Sequence, residues 1–281
     1  MFNKKRLVAI LTGTLLVGSL VGCSAGGASN SGSGSSDSSK ITISGSTSVG
    51  PTMEILAEDY QKANKGTTIE VQQVGSSAGI TNTIDGTSQI GMSSRDLKDE
   101  EKSELKEYQI AIDGIAVITN SANKVKDLTL DQVKDIYTGK ITNWKEVGGN
   151  DADIVVVSRE DGSGTRDGFQ EIVGFESGDL TSNAQISDGS GNIKTTVQGN
   201  ENAIGYISFG YLDDSINSVK IGGVEPKEEN VYNKKYPISR PFLLVTKGDA
   251  TGDAKSFIDY LLSDEGQKTI EKEGFMSVNQ K

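Results

Sequence analysis

Val-Ser-Arg-Glu-Asp-Gly-Ser-Gly-Thr-Arg, residues 157–166, joins an apolar run typical of a buried strand to residues 167–173, which can begin a helix. A turn rich in glycine and hydroxyl side chains at this place points backbone N–H groups outward at the helix N-terminus, where they hold anions. Ser163 and Thr165 add hydroxyl donors, and Arg159 adds a charged fork that fits a tetrahedral oxyanion. The stretch therefore predicts an anion site, and the alternative is a capped helix with a surface arginine.

Two earlier turns have the same composition and also stand between a predicted strand and a predicted helix. Residues 44–51 read Ser-Gly-Ser-Thr-Ser-Val-Gly-Pro, and the proline fits the first turn of a helix, where its missing N–H costs little. Three consecutive hydroxyls exceed what an N-cap requires, so we expect Thr47 and Ser48 to contact a ligand. Residues 75–79 read Gly-Ser-Ser-Ala-Gly, which also matches the G-x-S-x-G pattern of serine hydrolases.

The charge of the chain restricts its partners. The 281 residues carry a net charge of 28 − 39 = −11, with a pI of about 4.7. This acidity argues against nucleic acid as a partner. It does not argue against a small anion, because dipoles and hydrogen bonds in a buried site can outweigh a screened net charge.

Two residue types limit the chemistry. The chain has no histidine, and Cys23 is its only cysteine. A Ser-His-Asp triad and a His/Cys metal site are therefore excluded within the chain, as is a disulfide within one chain. The serines of the G-x-S-x-G stretch lack the usual base. We expect no catalytic residue, no metal and no cofactor, and hence no enzyme.

Residues 1–22 have the composition of an export signal. A Lys-Lys-Arg segment precedes an apolar run, residues 7–20, that is too short to span a bilayer comfortably. The end of that run, Leu-Val-Gly-Cys, resembles the bacterial lipobox, which implies cleavage before Cys23 and its lipidation. The alternative is an ordinary signal peptide with an incidental cysteine. Residues 23–39 would then be the lipidated cysteine and a Gly/Ser tether with a typical end-to-end distance of roughly 20–25 Å.

From residue 40 onward, predicted strands alternate with predicted helices, which favours parallel α/β layers. Five motifs in one order resemble the phosphate-binding lipoproteins of phosphate-specific ABC transporters, in their Gram-positive form. The resemblance covers essentially all of residues 40–281. The motifs are Ser-Gly-Ser-Thr-Ser at 44–48, Gly-Ser-Ser-Ala-Gly at 75–79, residues 128–149 with a Tyr-Thr-Gly-Lys-Ile-Thr-Asn-Trp core, Ser-Arg-Glu-Asp-Gly-Ser-Gly-Thr at 158–165, and Ala-Ile-Gly-Tyr at 203–206.

The resemblance implies an α/β, two-lobed fold of the periplasmic-binding-protein (Venus flytrap) type, with phosphate in the cleft and two strands crossing between the lobes. The two long extended apolar runs place the crossings, or hinges, near residues 112–119 and 236–241. One lobe is then residues 40–112 plus 241–281, and the other is residues 119–236.

The resemblance also implies a phosphate-binding set. Thr47 and Ser48 match the first phosphate turn of the family, and Ser76 matches the serine of the second. The third turn supplies the family's arginine and its Ser-Gly-Thr donors, which are here Arg159, Ser163, Gly164 and Thr165.

Ser94 departs from the family pattern, because some members have an aspartate there that accepts the proton of phosphate. A carboxylate accepts a hydrogen bond from phosphate and repels sulfate, which carries no proton at neutral pH. If Ser94 cannot take that role, another acid must. The hypothesis is Asp113, which interrupts a buried strand at the predicted crossing. Asp161 is the runner-up, although we otherwise expect it to pair with Arg159.

The resemblance implies a monomeric receptor, lipid-anchored at the extracellular face of the cell membrane, that captures phosphate and docks on the permease of an ABC importer. Another tetrahedral oxyanion, such as sulfate or molybdate, is the alternative ligand. Two other classes stay open. One is a phosphatase or esterase built on Ser76 or Ser163, and the other is a structural or adhesive surface lipoprotein in which the turns are helix caps only.

Overall fold

Strands and helices alternate along residues 39–279, the part of the chain that the computed structural model describes. The strands are β1 (Ser39–Gly45), β2 (Thr67–Gln73), β3 (Ile90–Ser93), β4 (Leu105–Asn120), β5 (Asp127–Leu128), β6 (Val155–Arg159), β7 (Gln185–Ser187), β8 (Ala203–Ser208), β9 (Ile216–Ser218), β10 (Lys220–Ile221), β11 (Ser239–Lys247) and β12 (Met276–Ser277). The α-helices are α1 (Gly50–Ala63), α2 (Ser76–Ile84), α3 (Asp99–Lys102), α4 (Leu130–Tyr137), α5 (Gly164–Val173), α6 (Gly189–Gln198), α7 (Glu228–Tyr232), α8 (Gly252–Leu262) and α9 (Asp264–Lys272). Short 3-10 helices span Trp144–Val147, Ser177–Asp179 and Phe209–Tyr211.

One mixed sheet connects most of the strands, in the order β2-β1-β3-β11-β4-β8-β6-β7, with β9 and β12 also pairing with β4. The pairs of β1 with β2 and β3 and of β6 with β7 and β8 are parallel, as the alternation of strands and helices predicts. The central pairs, β11 with β3 and β4 and β4 with β8, are antiparallel. The prediction of parallel layers is thus correct for the two ends of the sheet only. In the centre, β4 carries the chain from the first end of the sheet to the second and β11 carries it back, so the two strands run in opposite directions.

Two large hydrophobic cores lie on this sheet. The first core contains Met53 and Leu56 of α1 and Phe257 of α8. The second core contains Tyr137 of α4 and Phe169 of α5, which pack around β8. We call the residues around each core the first and the second lobe. The α/β, two-lobed fold expected from the sequence is confirmed.

β4 and β11 are the strands that cross between the lobes. The 16 residues of β4 extend roughly 50 Å at about 3.3 Å per residue, enough to run through both lobes. Ile110 of β4 belongs to the first core and Ile115 to the second. Ile238, directly before β11, belongs to the second core, and Phe242 of β11 belongs to the first core.

The predicted signal peptide, the lipidation site Cys23 and the tether as far as residue 38 lie outside the described residues. Within residues 39–279, no helix is both long and apolar enough to cross a membrane.

Candidate anion-binding site

Three strand-to-helix turns, before α1, α2 and α5, meet between the two lobes. The hydroxyl oxygens of Ser48 and Thr165 lie 2.8 Å apart, although 117 positions separate the residues. The backbone N–H of Ser77 donates to the carbonyl of Gly162 at 3.2 Å. The turns that the sequence singled out are therefore neighbours in space, with α1 and α2 on the first lobe and α5 on the second.

The first turn leaves two hydroxyls for contacts across the cleft. Ser46 holds the turn that precedes α1, because its Oγ accepts from the backbone N–H of Ser48 at 3.2 Å and of Val49 at 3.3 Å. The N-cap of α1 is Val49, without a side-chain cap, so none of the three consecutive hydroxyls is used for capping. Thr47 and Ser48 both contact residues of the second lobe, namely Arg159 and Thr165.

The third turn presents the N-terminus of α5 to the cleft. Ser163 is the N-cap, and its Oγ accepts from the backbone N–H of Arg166 at 3.3 Å. Gly162 directly before it has a φ of +79°, a left-handed conformation that favours glycine. The first backbone N–H groups of α5 have no acceptor within the helix, as at any helix start.

Arg159 is the charged centre of the site. Its side chain is 1% exposed, and its Nε and Nη2 atoms each lie 2.7 Å from an oxygen of Glu160. Nη2 also donates to Thr47 Oγ1 at 2.9 Å across the cleft. Nη1 is buried and has no hydrogen-bond partner among the described residues. A buried donor without an acceptor is costly, so this nitrogen is suited to bind an oxygen of an anion.

Ser76 and Ser94 of the first lobe lie against Gly164 of the second. The hydroxyl of Ser76 lies 3.3 Å from that of Ser94 and accepts from the Ser94 backbone N–H at 3.1 Å. A Cβ atom on Gly164 would lie only 2.3 Å from Ser76 Oγ and 2.8 Å from Ser94 Oγ. The approach of the lobes thus depends on the missing side chain of Gly164.

The structure brings together most of the predicted phosphate-binding residues. Those that lie at or directly beside the three converging turns are Thr47, Ser48, Ser76, Ser94, Arg159, Ser163, Gly164 and Thr165.

Asp113 is engaged elsewhere, and the hypothesis that it accepts the phosphate proton is not supported. Its Oδ2 accepts from Arg240 Nε at 3.1 Å and Nη2 at 2.9 Å, and its Oδ1 accepts from Ser208 Oγ at 3.0 Å and the Phe209 N–H at 3.2 Å. A carboxylate has about four acceptor positions, and all are used. Asp113 is linked to the site through Arg240, whose Nη1 donates to the Ser94 carbonyl at 2.9 Å.

The runner-up acid, Asp161, also differs from the expectation. Its carboxylate lies 2.6 Å from Arg166, not beside Arg159, and its side chain is 94% exposed. Glu160 occupies the place at Arg159 that the sequence analysis assigned to Asp161. The two acids are adjacent in the sequence, and the backbone of the turn decides which of them faces the buried guanidinium.

Replacing Asp113 with asparagine should destabilise the fold without changing ligand choice. The change leaves the guanidinium of Arg240 buried without its counter-charge, and breaking a buried pair costs about 3–5 kcal/mol. Urea unfolding measures this loss, and Ser208→Ala, which removes one neutral donor to the same carboxylate, should cost only about 1 kcal/mol. A changed phosphate-to-sulfate affinity ratio in Asp113→Asn would contradict this assignment.

A fourth turn, residues 188–190, lies beside the site, and the sequence analysis did not identify it. The Gly189 N–H donates to Glu160 Oε2 at 3.4 Å, and a Cβ on Gly189 would lie 3.9 Å from Thr47 Oγ1. The hydroxyl of Ser190 is buried and has no partner among the described residues. The signal was present, because Ser-Asp-Gly-Ser-Gly also separates a strand, β7, from a helix, α6.

The Arg159–Glu160 pair should make stability depend on acidic pH. Burial alone raises the pKa of Glu160, but the hydrogen bonds and charge of Arg159 and the N–H of Gly189 outweigh it, and the pKa lies below 4.5. A carboxyl with a depressed folded-state pKa contributes stability above its unfolded value and loses it as pH falls through the folded value.

We therefore expect the free energy of unfolding of the wild type to fall more steeply than that of Glu160→Gln as the pH falls below 4.5, the ordinary pKa of a glutamate. Urea titrations at several pH values measure the difference. Parallel curves for the two proteins would mean that the pair contributes no proton linkage.

The chemistry of the site is that of binding. Its groups are hydroxyls, helix N–H groups and a guanidinium, which donate to an anion. The hydroxyl of Ser76 contacts Ser94 Oγ and the Ser94 N–H, and neither is a base. Residues 39–279 contain no cluster of acids, histidines or cysteines that could hold a metal ion.

Known proteins share both the sequence and the fold. Residues 25–265 match the PBP superfamily domain. The phosphate-binding protein PstS of Bacillus subtilis (strain 168) is 39% identical over 237 residues, which are 83% of this chain and 78% of that protein.

Two solved structures are similar throughout. A putative phosphate ABC transporter substrate-binding protein from Clostridium perfringens, with bound phosphate, is 64% identical with a TM-score of 0.84, and the match covers 85% of this chain and 100% of that one. An ABC-type phosphate transport receptor from Vibrio cholerae is 39% identical with a TM-score of 0.75, and the match again covers 85% and 100% of the two chains.

Proposed function

This chain belongs to the PBP superfamily, among the substrate-binding proteins of phosphate ABC transporters, and on that premise we propose that it captures phosphate at Arg159 and hands it to a membrane permease. The observation that carries the choice of site is the buried Nη1 of Arg159, which has no hydrogen-bond partner among the described residues, on a guanidinium whose Nη2 donates to Thr47 of the other lobe. The phosphate-binding set is Thr47, Ser48, Ser76, Ser94, Arg159, Ser163, Gly164 and Thr165.

Capture is coupled to closure of the cleft. Phosphate loses its water and gains donors from Ser48 and Ser76 on one lobe and from Arg159 and Thr165 on the other. Each charge-assisted hydrogen bond contributes about 1.5–3 kcal/mol net. Because the donors of both lobes converge on one anion, the bound anion favours the closed state.

The hinges of this motion are residues 112–119 and 236–241. The lobes would then be residues 40–112 plus 241–281 and residues 119–236. Support for these bounds comes from β4 and β11, each of which contributes residues to both cores.

The protein would act as a monomer, anchored by a lipid on Cys23 to the extracellular face of the cell membrane. Support for the anchor and its location comes from the export signal of residues 1–22 and the lipobox-like end of that signal. Its role would be binding alone, since the serines of the site lack a base and the chain has no histidine.

Sulfate or another tetrahedral oxyanion is a second candidate ligand. It is favoured because the carboxylates nearest the site already accept hydrogen bonds from protein groups. Both oxygens of Glu160 accept from Arg159, and those of Asp113 are fully engaged. The hydroxyl of Ser94 can either accept a hydrogen bond from the protonated oxygen of phosphate or donate a hydrogen bond to sulfate, so it does not repel sulfate.

Replacing Ser94 with aspartate should therefore increase discrimination. The new carboxylate would accept a hydrogen bond from the protonated oxygen of phosphate and repel sulfate, and we expect sulfate affinity to fall by about a hundredfold while phosphate still binds. Ser94→Asn has nearly the same size without the charge and is the control. Equal losses of sulfate affinity in the two variants would contradict the electrostatic explanation.

Calorimetric titration of residues 40–281 with phosphate tests the proposed function. We expect one phosphate per chain with a dissociation constant of about 1 μM or lower. A second titration in excess sulfate shows whether the site is specific for phosphate or general for oxyanions. No heat and no thermal shift with either anion would refute capture and leave the structural class of surface lipoprotein.

A further inference from the structure

Arg95 is a second buried arginine at the cleft, directly after Ser94 on the first lobe. Its side chain is 4% exposed. Nη1 and Nη2 bind the two oxygens of Glu101 at 2.8 Å and 2.9 Å. The remaining donors reach the Asp96 carbonyl at 2.8 Å, Ser77 Oγ at 3.4 Å and Asp167 Oδ2 at 3.0 Å. All five N–H groups of the guanidinium therefore have acceptors.

One of these contacts differs from the others because it joins the two lobes. Glu101, Asp96 and Ser77 belong to the first lobe with Arg95 itself. Asp167 lies in the first turn of α5, on the second lobe, and follows Gly164 and Thr165 of the proposed phosphate set by three and two positions. The contact thus ties Ser94 and its neighbours to the helix that presents the third anion turn.

The contact can break at little cost to Arg95. Glu101 is 13% exposed and holds the guanidinium from within the same lobe, so Arg95 keeps a counter-charge when the lobes separate. Asp167 is 32% exposed even in this closed arrangement, and water can solvate it when the cleft opens. Such a pair is made in the closed state and lost in the open state.

We propose that Arg95 and Asp167 are positioning residues that set the affinity for phosphate by favouring closure, without contacting the anion. The inference rests on the proposed function. A contact present only in the closed state raises the closed population, and with it the apparent affinity of a ligand that needs closure. Because breaking the contact speeds opening, its loss should act mainly on the dissociation rate.

Replacing Asp167 with alanine separates this role from simple electrostatics. Removing an acid near an anion site should tighten anion binding if only long-range charge matters. The proposed role predicts weaker anion binding instead, because the variant loses the contact that favours closure. We expect phosphate affinity to fall about tenfold, mainly through faster dissociation, with the phosphate-to-sulfate ratio unchanged.

Glu171→Ala is the matched control. Glu171 is an exposed acid on the same helix, one turn further along, so the control removes the same charge and should bind phosphate as the wild type does or slightly better. Stopped-flow dissociation and calorimetry of the three proteins give the comparison, and thermal unfolding confirms that each is folded. If Asp167→Ala is not folded, Asp167→Asn retains the size and removes the ion pair.

Phosphate binding by Asp167→Ala that equals that of Glu171→Ala would overturn the inference and leave the proposed function intact. A wild type that binds no phosphate would instead refute the proposed function. Small-angle scattering at subsaturating phosphate adds a direct readout, because the Asp167→Ala protein should have the larger radius of gyration and Glu171→Ala should not.

Discussion

Replacing Arg159 with glutamine is expected to weaken phosphate binding by about a thousandfold. The guanidinium is 1% exposed, and its Nη1 has no acceptor among the described residues. Two charge-assisted hydrogen bonds at about 2 kcal/mol each correspond to that factor. The variant also leaves Glu160 without the partner that holds both of its oxygens, so an uncompensated carboxylate would face the incoming anion.

This second effect makes the prediction testable in two steps. Arg159→Gln combined with Glu160→Gln removes the uncompensated carboxylate, and we expect it to regain about tenfold of the lost affinity. Arg166→Gln is the control, since Arg166 is a buried arginine of the same turn that pairs with the exposed Asp161 and touches Arg159 only at its backbone carbonyl, 3.2 Å away. Its phosphate affinity should change by less than about tenfold. Calorimetry at neutral pH measures all three, and a single Arg159→Gln variant within tenfold of the wild type would disprove the role of this residue.

Replacing Gly164 with alanine is expected to weaken phosphate binding by about a hundredfold while the protein stays folded. The added Cβ would lie 2.3 Å from Ser76 Oγ and 2.8 Å from Ser94 Oγ, both on the opposite lobe. Contacts this short force the lobes apart, and a fraction of closed molecules reduced to about one in a hundred lowers the apparent affinity by the same factor. The backbone N–H of residue 164 remains, and alanine favours a helix more than glycine does.

Gly168→Ala is the control, because it makes the same change on the same helix. Its Cβ would lie 3.6 Å from the Arg240 side chain, an ordinary van der Waals distance. Phosphate affinity should stay near that of the wild type, and thermal unfolding should place both variants at or above the wild-type midpoint. Equal phosphate affinities for the two alanine variants would show that close contact at Gly164 is not required.

The local parts of the site could be predicted from the sequence. Each turn combines a strand end, small residues and a helix start, and these signals lie within about ten neighbouring residues. Thr47, Ser48 and Ser163 were found in this way, and the same rule applied to residues 188–190 would have found Gly189 and Ser190. The crossing strands were also predictable, because runs that are apolar throughout are typical of strands buried on both faces.

Pairings between distant charges were not predictable. Asp113 is adjacent to Arg240 because β4 and β11 pair in a register that places these two residues opposite each other. The pairing is set by tertiary structure, and no neighbour of Asp113 in the sequence reveals it. The backbone of the turn points the side chains of Glu160 and Asp161 in different directions. Residue type alone does not show which of the two acids pairs with Arg159.

A crystal structure of residues 40–281 with phosphate, at a resolution that shows hydrogen-bond geometry, tests the central claim most directly. The account predicts phosphate between the lobes, with one oxygen within about 3 Å of Arg159 Nη1 and others accepting from Ser48, Thr165 and the first N–H groups of α5. The Arg95–Asp167 contact should be present in the same crystal. Phosphate bound elsewhere, with Nη1 of Arg159 not contacting it, would contradict the account.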